Sequence, residues 1–220
     1  SLSRINTIYF ISENGKEYFV NKHKVDIALE ISKLGTKDYG LGPLSGDQLV
    51  VATCSSIISL KRLELLANAL IKLNGKNIIW HHHGDGPLKK EILALVSNCT
   101  HLTTYFHGQV GNEKLMEFYK YNYVSLFVNV SSTEGLPVSL VEAASFGIPL
   151  LATNVRGTKE ICTSETGVLV DAGITAAELA LKIENTLNID WNRMKIREYW
   201  KSNFLGANNF NEFAKKIAVL

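Results

Sequence analysis

From Gln48 onward the chain alternates short apolar runs with segments whose apolar positions recur at helical spacing. "QLVVATC" is continuous and β-branched, as a strand buried on both faces is. "KRLELLANALIKLNG" sets Leu63, Leu66, Ala67, Leu70 and Leu73 on one helical face and stops at Gly75. The cycle repeats with "NIIW" and the helix "PLKKEILALVSN", in which Pro87 takes the first position and Asp85 the cap. "LTTYFHG" then leads to the helix "NEKLMEFYKY", capped by Asn112, and "YVSLFVNV" leads to the apolar helix of "EGLPVSLVEAASFG". "IPLLATN", a short helix from Thr158 and "GVLV" complete the series. The pattern predicts an α/β fold, a Rossmann-like doubly wound parallel sheet whose ligands lie beyond the carboxyl ends of the strands.

Three helical segments follow, "TAAELALKIENTL", "WNRMKIREYWKSNF" and "ANNFNEFAKKIAVL". Their aromatics, Trp191, Tyr199, Trp200, Phe204, Phe210 and Phe213, need a surface to pack on. The first 45 residues break the alternation. "NTIYFISENGKEYFVNK" reads as a strand and a short helix, "KVDIALEIS" as a strand, and "LGTKDYGLGPLSGD" as a loop or linker. We divide the chain into residues 1–24, a main domain over 25–188, and C-terminal helices over 189–220.

Composition narrows the class. With 46% hydrophobic and 20% charged residues in 220, the chain carries enough apolar content for a core and is not disordered. Its net charge of +2 includes no basic block, so no nucleic-acid partner is indicated. Three cysteines without a CxxC pair suggest neither a disulfide framework nor a structural zinc site, and a reduced, cytoplasmic compartment fits. No apolar run reaches the ~18 residues of a membrane span, and the start has no signal-peptide layout. A first residue of Ser leads us to expect sequence upstream.

The chemistry concentrates in "EGLPVSLVE", where Glu134 and Glu142 are separated by seven residues. Pro137 sits where a helix begins, so the free N–H groups of Gly135, Leu136 and Val138 converge on the preceding loop as an anion site. Glu142 lies further along an almost wholly apolar helix, and a buried carboxylate needs donors. A Lys or backbone partner would serve, and so would a pair of ribose hydroxyls. Lys61 and Arg62 open a helix at the end where its dipole disfavours cations, unless an anion binds there. "HHHGDGP" is no metal site, because three consecutive strand residues point to alternate faces. No catalytic-triad order, Walker A sequence or GxGxxG fingerprint is present.

Together, "EGLPVSLVE", "GDGPL", "FHGQV" and "GIPLLATNVRGTKEI" resemble the retaining, nucleotide-sugar-dependent glycosyltransferases of family 4, which have the two-domain GT-B architecture. The resemblance is close over residues 48–170 and weaker toward both ends. It implies transfer of a hexose or N-acetylhexosamine from a UDP- or GDP-sugar to a glycan or similar acceptor, with retention, in cell-surface polysaccharide biosynthesis. Glu142 would hold the ribose, while Glu134 and Lys61 would be catalytic, one beside the donor sugar and the other neutralising the leaving diphosphate. Gly135, Leu136 and Val138, with Pro137 between them, would line the sugar and diphosphate. Ser56 stands where the family usually has Arg, Arg62 or Arg156 could supply the charge, and His107 and Gln109 lie in the turn that borders the base. No metal or cofactor is implied.

The same resemblance makes residues 1–24 the remnant of an N-terminal acceptor domain and residues 189–220 C-terminal helices that cross back to it. The chain is then a donor-binding part, inactive alone, whose glycan or lipid-linked acceptor binds through the missing half. Association of the full-length protein with the inner face of the membrane is compatible with this. So is the alternative of a non-catalytic nucleotide-sugar-binding or scaffolding module, which Ser56 and Arg156 favour.

Overall fold

The computed structural model describes residues 5–218 and opens with a unit separate from the main sheet. Strand β1 (Thr7–Phe10), helix α1 (Glu13–Lys22) and strand β2 (Ala28–Ile31) make a two-stranded parallel sheet with its crossover helix. The division expected between residues 24 and 25 falls between α1 and β2. "KVDIALEIS" belongs with the first strand, since Ala28 to Ile31 pair with Thr7 to Phe10 and with no strand of the main sheet. Two strands alone are marginal in water, so contacts with the rest of the chain hold this unit. Glu160 accepts hydrogen bonds from the N–H groups of Glu13 (3.2 Å) and Asn14 (3.1 Å) at the first turn of α1. At the other end Tyr9 meets Phe213 edge-on at 5.0 Å, and Lys216 pairs with Glu30 at 2.8 Å.

The main sheet contains β3 (Leu49–Cys54), β4 (Ile78–His83), β5 (Leu102–Phe106), β6 (Leu126–Asn129), β7 (Leu150–Thr153) and β8 (Gly167–Val170). All pairings are parallel, in the order β5-β4-β3-β6-β7-β8. The chain works outward from β3 to β5, then returns to lay β6 on the other side of β3. That reversal opens a crevice at the carboxyl ends of β3 and β6, the switch point where doubly wound sheets take ligands.

Helices α2 (Leu63–Ile71), α3 (Lys89–Val96), α4 (Asn112–Tyr121), α5 (Val138–Ser145), α6 (Ala176–Leu187), α7 (Arg193–Phe204) and α8 (Gly206–Ile217) complete the fold. One core gathers Leu66 and Leu70 of α2, Trp80 of β4, and Leu179 and Ile183 of α6. On the opposite face, Tyr119, Phe127, Phe146, Trp200 and Phe204 pack together. Covering on both faces explains why the inner strands show no polar alternation, whereas edge strand β5 keeps Thr103 and Tyr105 exposed. The face predicted for α2, from Leu63 to Leu73, is buried throughout.

Helix starts differ from expectation at three places. Ser59–Lys61 form a 3-10 turn, and Arg62 caps α2 in the left-handed region at φ 49°, so Lys61 lies just outside the helix. Helix α3 begins at Lys89, not Pro87, and Asp85 does not cap it; its carboxylate accepts from the N–H of Gly86 at 2.8 Å and pairs with Lys89 at 3.3 Å. Asn112 is the first residue of α4 and Gly111 takes the cap position, which frees the Asn112 amide for another partner.

The stretch expected as a linker is anchored to α7. Buried Arg193 donates to the carbonyl of Pro43 at 3.0 Å, and buried Arg197 donates to that of Gly40 at 2.9 Å and pairs with Asp38. With Trp200 and Phe204 fully buried, α7 is part of the main core. Helix α8 lies across the small β1–β2 unit, and Phe210 stays exposed.

Candidate active site

Turns that follow neighbouring strands are hydrogen-bonded into one rim along the carboxyl edge of the sheet. Ser55 N–H donates to His83 (3.0 Å) and Ile57 N–H to Asp85 (2.9 Å), joining the loop after β3 to the turn after β4. Gly84 N–H donates to Gly108 at 2.8 Å, extending the rim to the turn after β5. Only glycine fits at position 84, where φ is +136° and a Cβ would stand 1.9 Å from the Ser55 carbonyl oxygen. On the other side, Ser132 N–H donates to Leu60 at 2.9 Å, closing the loop after β6 onto the loop after β3.

Across this junction the two residues expected to be catalytic meet. Lys61 Nζ donates to Glu134 Oε1 at 2.6 Å, and Asn129 Nδ2 reaches the same oxygen at 3.2 Å. Burial works against ionisation of Glu134, but the hydrogen bonds from Lys61, Ser131 and Asn129 outweigh it and hold its pKa below the ordinary value. Glu134 is therefore ionised at neutral pH.

Behind Glu134 the chain presents the amides read from the sequence. Among the described residues, the backbone N–H groups of Gly135, Leu136 and Val138 meet no acceptor, and Val138 is the first residue of α5. A Cβ on Gly135 would touch nothing within 4 Å, so its open side faces free space. The side chains of Leu136 and Pro137 are buried, which leaves their backbone as what they offer a ligand. Gly157, after β7, supports the loop from below: a Cβ there would lie 2.4 Å from the Gly135 carbonyl oxygen.

Glu142 is only 9% exposed in a helix otherwise lined by Leu140, Val141, Ala143 and Ala144. Its partner is neither Lys nor backbone. Asn112 of α4 donates its amide Nδ2 to Oε1 at 2.6 Å. Burial raises the Glu142 pKa, and the Asn112 bond acts in the opposite direction without cancelling it. Cys54, at the end of β3, lies close enough that the Glu142 charge adds to burial in pushing its thiol up to about 12.

Other expected residues divide. Arg62 is turned away from Glu134: Nε donates to the carbonyl of Val130 and Nη1 to that of Ala172, both at 2.6 Å. The diphosphate contact expected of it would require the guanidinium to leave these two backbone acceptors, and Nη2 is sealed from solvent without a partner among the described residues. Arg156 stands exposed in a 3-10 turn (Arg156–Glu160) at φ 44°, its guanidinium 5.2 Å from the Tyr18 ring. Ser56 is exposed in the loop after β3, and Gln109 is exposed beyond β5.

The histidines behave as the strand geometry requires. His82 points into one core, where Thr53 Oγ1 lies 2.8 Å from Nδ1, while His81 and His83 share the opposite face with His107. The His83 and His107 rings stack at 4.3 Å between centroids, and His81 Nδ1 lies 2.9 Å from His107 Nε2. Burial lowers the pKa of His81 to about 4 and of His83 to about 3, so this stack is neutral at neutral pH. Among the described residues, no three His, Cys, Asp or Glu side chains are grouped to hold a metal ion. No helix among them is long and apolar enough to cross a membrane.

Sequence reasoning missed the Asn112–Glu142 bond, because Asn at a helix start already has an explanation as a cap. It also missed Asn129, whose polarity at the end of an otherwise apolar strand was the available signal.

The model for the family described as glycosyl transferases group 1 matches residues 42–203. The O-antigen biosynthesis glycosyltransferase WbnH of Escherichia coli is 36% identical over 111 residues, which are 50% of this chain and 30% of that protein. Sucrose-phosphate synthase of Thermosynechococcus elongatus superposes with a TM-score of 0.81 at 20% identity, over 99% of this chain and 59% of its own. Anabaena HepE, solved in complex with UDP-glucose, superposes at 0.78 and 18% identity, over 98% and 64%. The chain thus spans less than two thirds of the proteins it overlays.

Proposed function

The chain belongs to the glycosyl transferases group 1 family, and from that premise we propose that it is the donor-binding half of a GT-B enzyme of the retaining family 4 type. The donor is a nucleotide sugar, UDP- or GDP-linked, and the sugar a hexose or N-acetylhexosamine. It lies in the crevice between β3 and β6. The observation that carries this reading is the meeting of Lys61 and Glu134 over the free amides of Gly135, Leu136 and Val138, with the buried acid Glu142 further along α5.

In this arrangement Glu142 accepts hydrogen bonds from the ribose hydroxyls, and Glu134 orients the donor sugar. Lys61 and the amides stabilise negative charge on the departing diphosphate, which is where charge develops as the glycosidic bond breaks. The His107–Gln109 turn borders the base. No step calls for a metal. The acceptor, a glycan or lipid-linked glycan of a cell-surface polysaccharide, binds through an N-terminal domain that the β1–α1–β2 unit would complete. The chain alone then binds donor without transferring it, and the whole enzyme works in the cytoplasm, at the inner face of the membrane where its acceptor is lipid-linked.

One observation favours a second reading, a non-catalytic binding or scaffolding module. With Arg62 held by carbonyls and Ser56 uncharged, Lys61 is the cation paired with Glu134 and no second cation contacts that acid among the described residues. Melting curves with UDP, GDP and their sugars test the donor site. A stabilising shift that Glu142→Ala abolishes is expected, and no shift with any nucleotide refutes it. Donor hydrolysis or transfer by the full-length protein separates enzyme from module.

A further inference from the structure

The bond from Asn112 to Glu142 joins two helices that are distant in sequence. Asn112 is exposed at the first position of α4, and Glu142 is buried in α5. A capping role does not explain the bond, since Asn112 lies inside the helix and, among the described residues, its side chain accepts from no backbone N–H. Glu142 has two carboxylate oxygens and, among the described residues, one hydrogen bond, to Oε1. Oε2 is not among the sealed polar atoms that lack a partner, so the small exposed fraction of the side chain includes it.

We propose that Asn112 is a positioning residue for donor recognition: its amide fixes Oε1 of Glu142 and leaves Oε2 as the acceptor for a vicinal diol of the ligand. This rests on the reading of Glu142 as the ribose acid. A neutral amide suits the task better than a cation. Lysine at this position would pair with the whole carboxylate and compete with the ligand for it, whereas an amide satisfies one oxygen and leaves the charge available. It also favours the ionised form that must accept from hydroxyls, against burial. The other titratable groups facing Glu142 are Cys54 at the end of β3 and Tyr119 on α4. Both are pushed upward by burial and stay neutral, and no cation pairs with Glu142 among the described residues. Glu142 therefore contributes to the acid limb of ligand binding, on top of protonation of the UDP phosphate, which is common to every variant.

The test is calorimetric titration of the chain with UDP and 2′-deoxy-UDP across pH, for wild type, Asn112→Ala and Asn112→Asp. A hydrogen bond to a charged group corresponds to about tenfold or more in affinity. Asn112→Ala is expected to weaken UDP by that factor, to shrink the preference for UDP over 2′-deoxy-UDP, and to move the acid limb of binding to higher pH. Asn112→Asp keeps the side-chain shape, sets a second carboxyl against Glu142, and is expected to bind worse than Asn112→Ala at alkaline pH and to recover on acidification. Equal losses for the two nucleotides with an unmoved acid limb would mean a purely structural bond and overturn the proposal, as would unchanged affinity. If wild type binds UDP but Glu142→Ala binds it equally well, the reading of Glu142 fails first, and the proposal with it.

Discussion

Replacing Gly157 with Ala probes the amide cradle without touching a residue that would contact the ligand through its side chain. A Cβ at this position lies 2.4 Å from the Gly135 carbonyl oxygen and 3.5 Å from the Leu136 Cα. Ordinary contact is at roughly 3.5 Å, so one strand of the loop must move by about 1 Å. Gly157 is buried beside the core, at a backbone angle that carries no left-handed strain, so the close approach alone makes glycine necessary. Gly135 has open space on its other side, and the path of least resistance carries the Gly135–Leu136 peptide toward the crevice. Overpacking of this kind costs about 1–3 kcal/mol of stability. Misplacing a binding group by ~1 Å costs up to about a hundredfold in function. Calorimetric titration with UDP reads the affinity, and a melting curve of the unliganded chain reads the stability; at about 2–4 °C per kcal/mol for this size, the fall in Tm stays modest. A Gly157→Ala chain that is less stable yet binds UDP with wild-type affinity would refute the placement of the diphosphate on these amides.

Glu142→Gln is expected to raise the Tm of the unliganded chain at neutral pH while abolishing the shift with UDP. Burial raises the Glu142 pKa in the folded chain, so the folded state holds that proton more tightly than the unfolded one. Stability accordingly falls as pH rises from the unfolded pKa through the folded one, and the neutral amide removes this loss; an unliganded Tm that drops at neutral pH and rises relative to wild type in acid would contradict it. Lys61→Ala leaves half-buried Glu134 without its cation and is expected to cost about 1 kcal/mol, with the Glu134 pKa moving upward in a carboxylate titration. Trp200→Ala, at a fully buried side chain, is expected to destabilise the chain by about 3–5 kcal/mol in chemical denaturation, and a loss under 1 kcal/mol would mean that α7 is a detachable appendage after all.

The sheet was legible in the sequence because burial on both faces leaves a simple trace. Strands such as "QLVVATC" and "YVSLFVNV" carry almost no polar residues, and the helices between them repeat at their own period. The strand order was not legible: the right-handed crossover of parallel units sets the face on which each helix lies, and the reversal that places β6 beside β3 is read from the structure. What failed were the starts of helices. Lys61, Asp85 and Asn112 each stood at a plausible first turn, and local propensity treats such residues as caps or misplaced charges. Tertiary partners decided otherwise in two cases, where Glu134 drew Lys61 and Glu142 drew Asn112; Asp85 turned to a local partner, Lys89 four residues on.

The same competition explains why the site was half visible. Glu142 announced itself through a mismatch between an acid and an apolar helix, a conflict that resides within a few residues and so appears in the sequence. Its partner did not, since Asn112 conflicts with nothing around it. Arg62 is the converse case. Its charge at a helix start suggested an anion, but the left-handed turn at φ 49° swings the guanidinium onto the carbonyls of Val130 and Ala172, where it ties α2 to the ends of β6 and β8. A mismatch in sequence thus marks where a partner is required, and it cannot tell a ligand from a carbonyl. For Glu142, one amide bond leaves the second carboxylate oxygen with no donor among the described residues and partly open to solvent; for Arg62, two carbonyls engage Nε and Nη1, and Nη2 is sealed from solvent without a partner among those residues. The acid, whose free oxygen a ligand can reach, and not the arginine, whose free nitrogen is sealed, is therefore the residue on which donor binding is expected to turn.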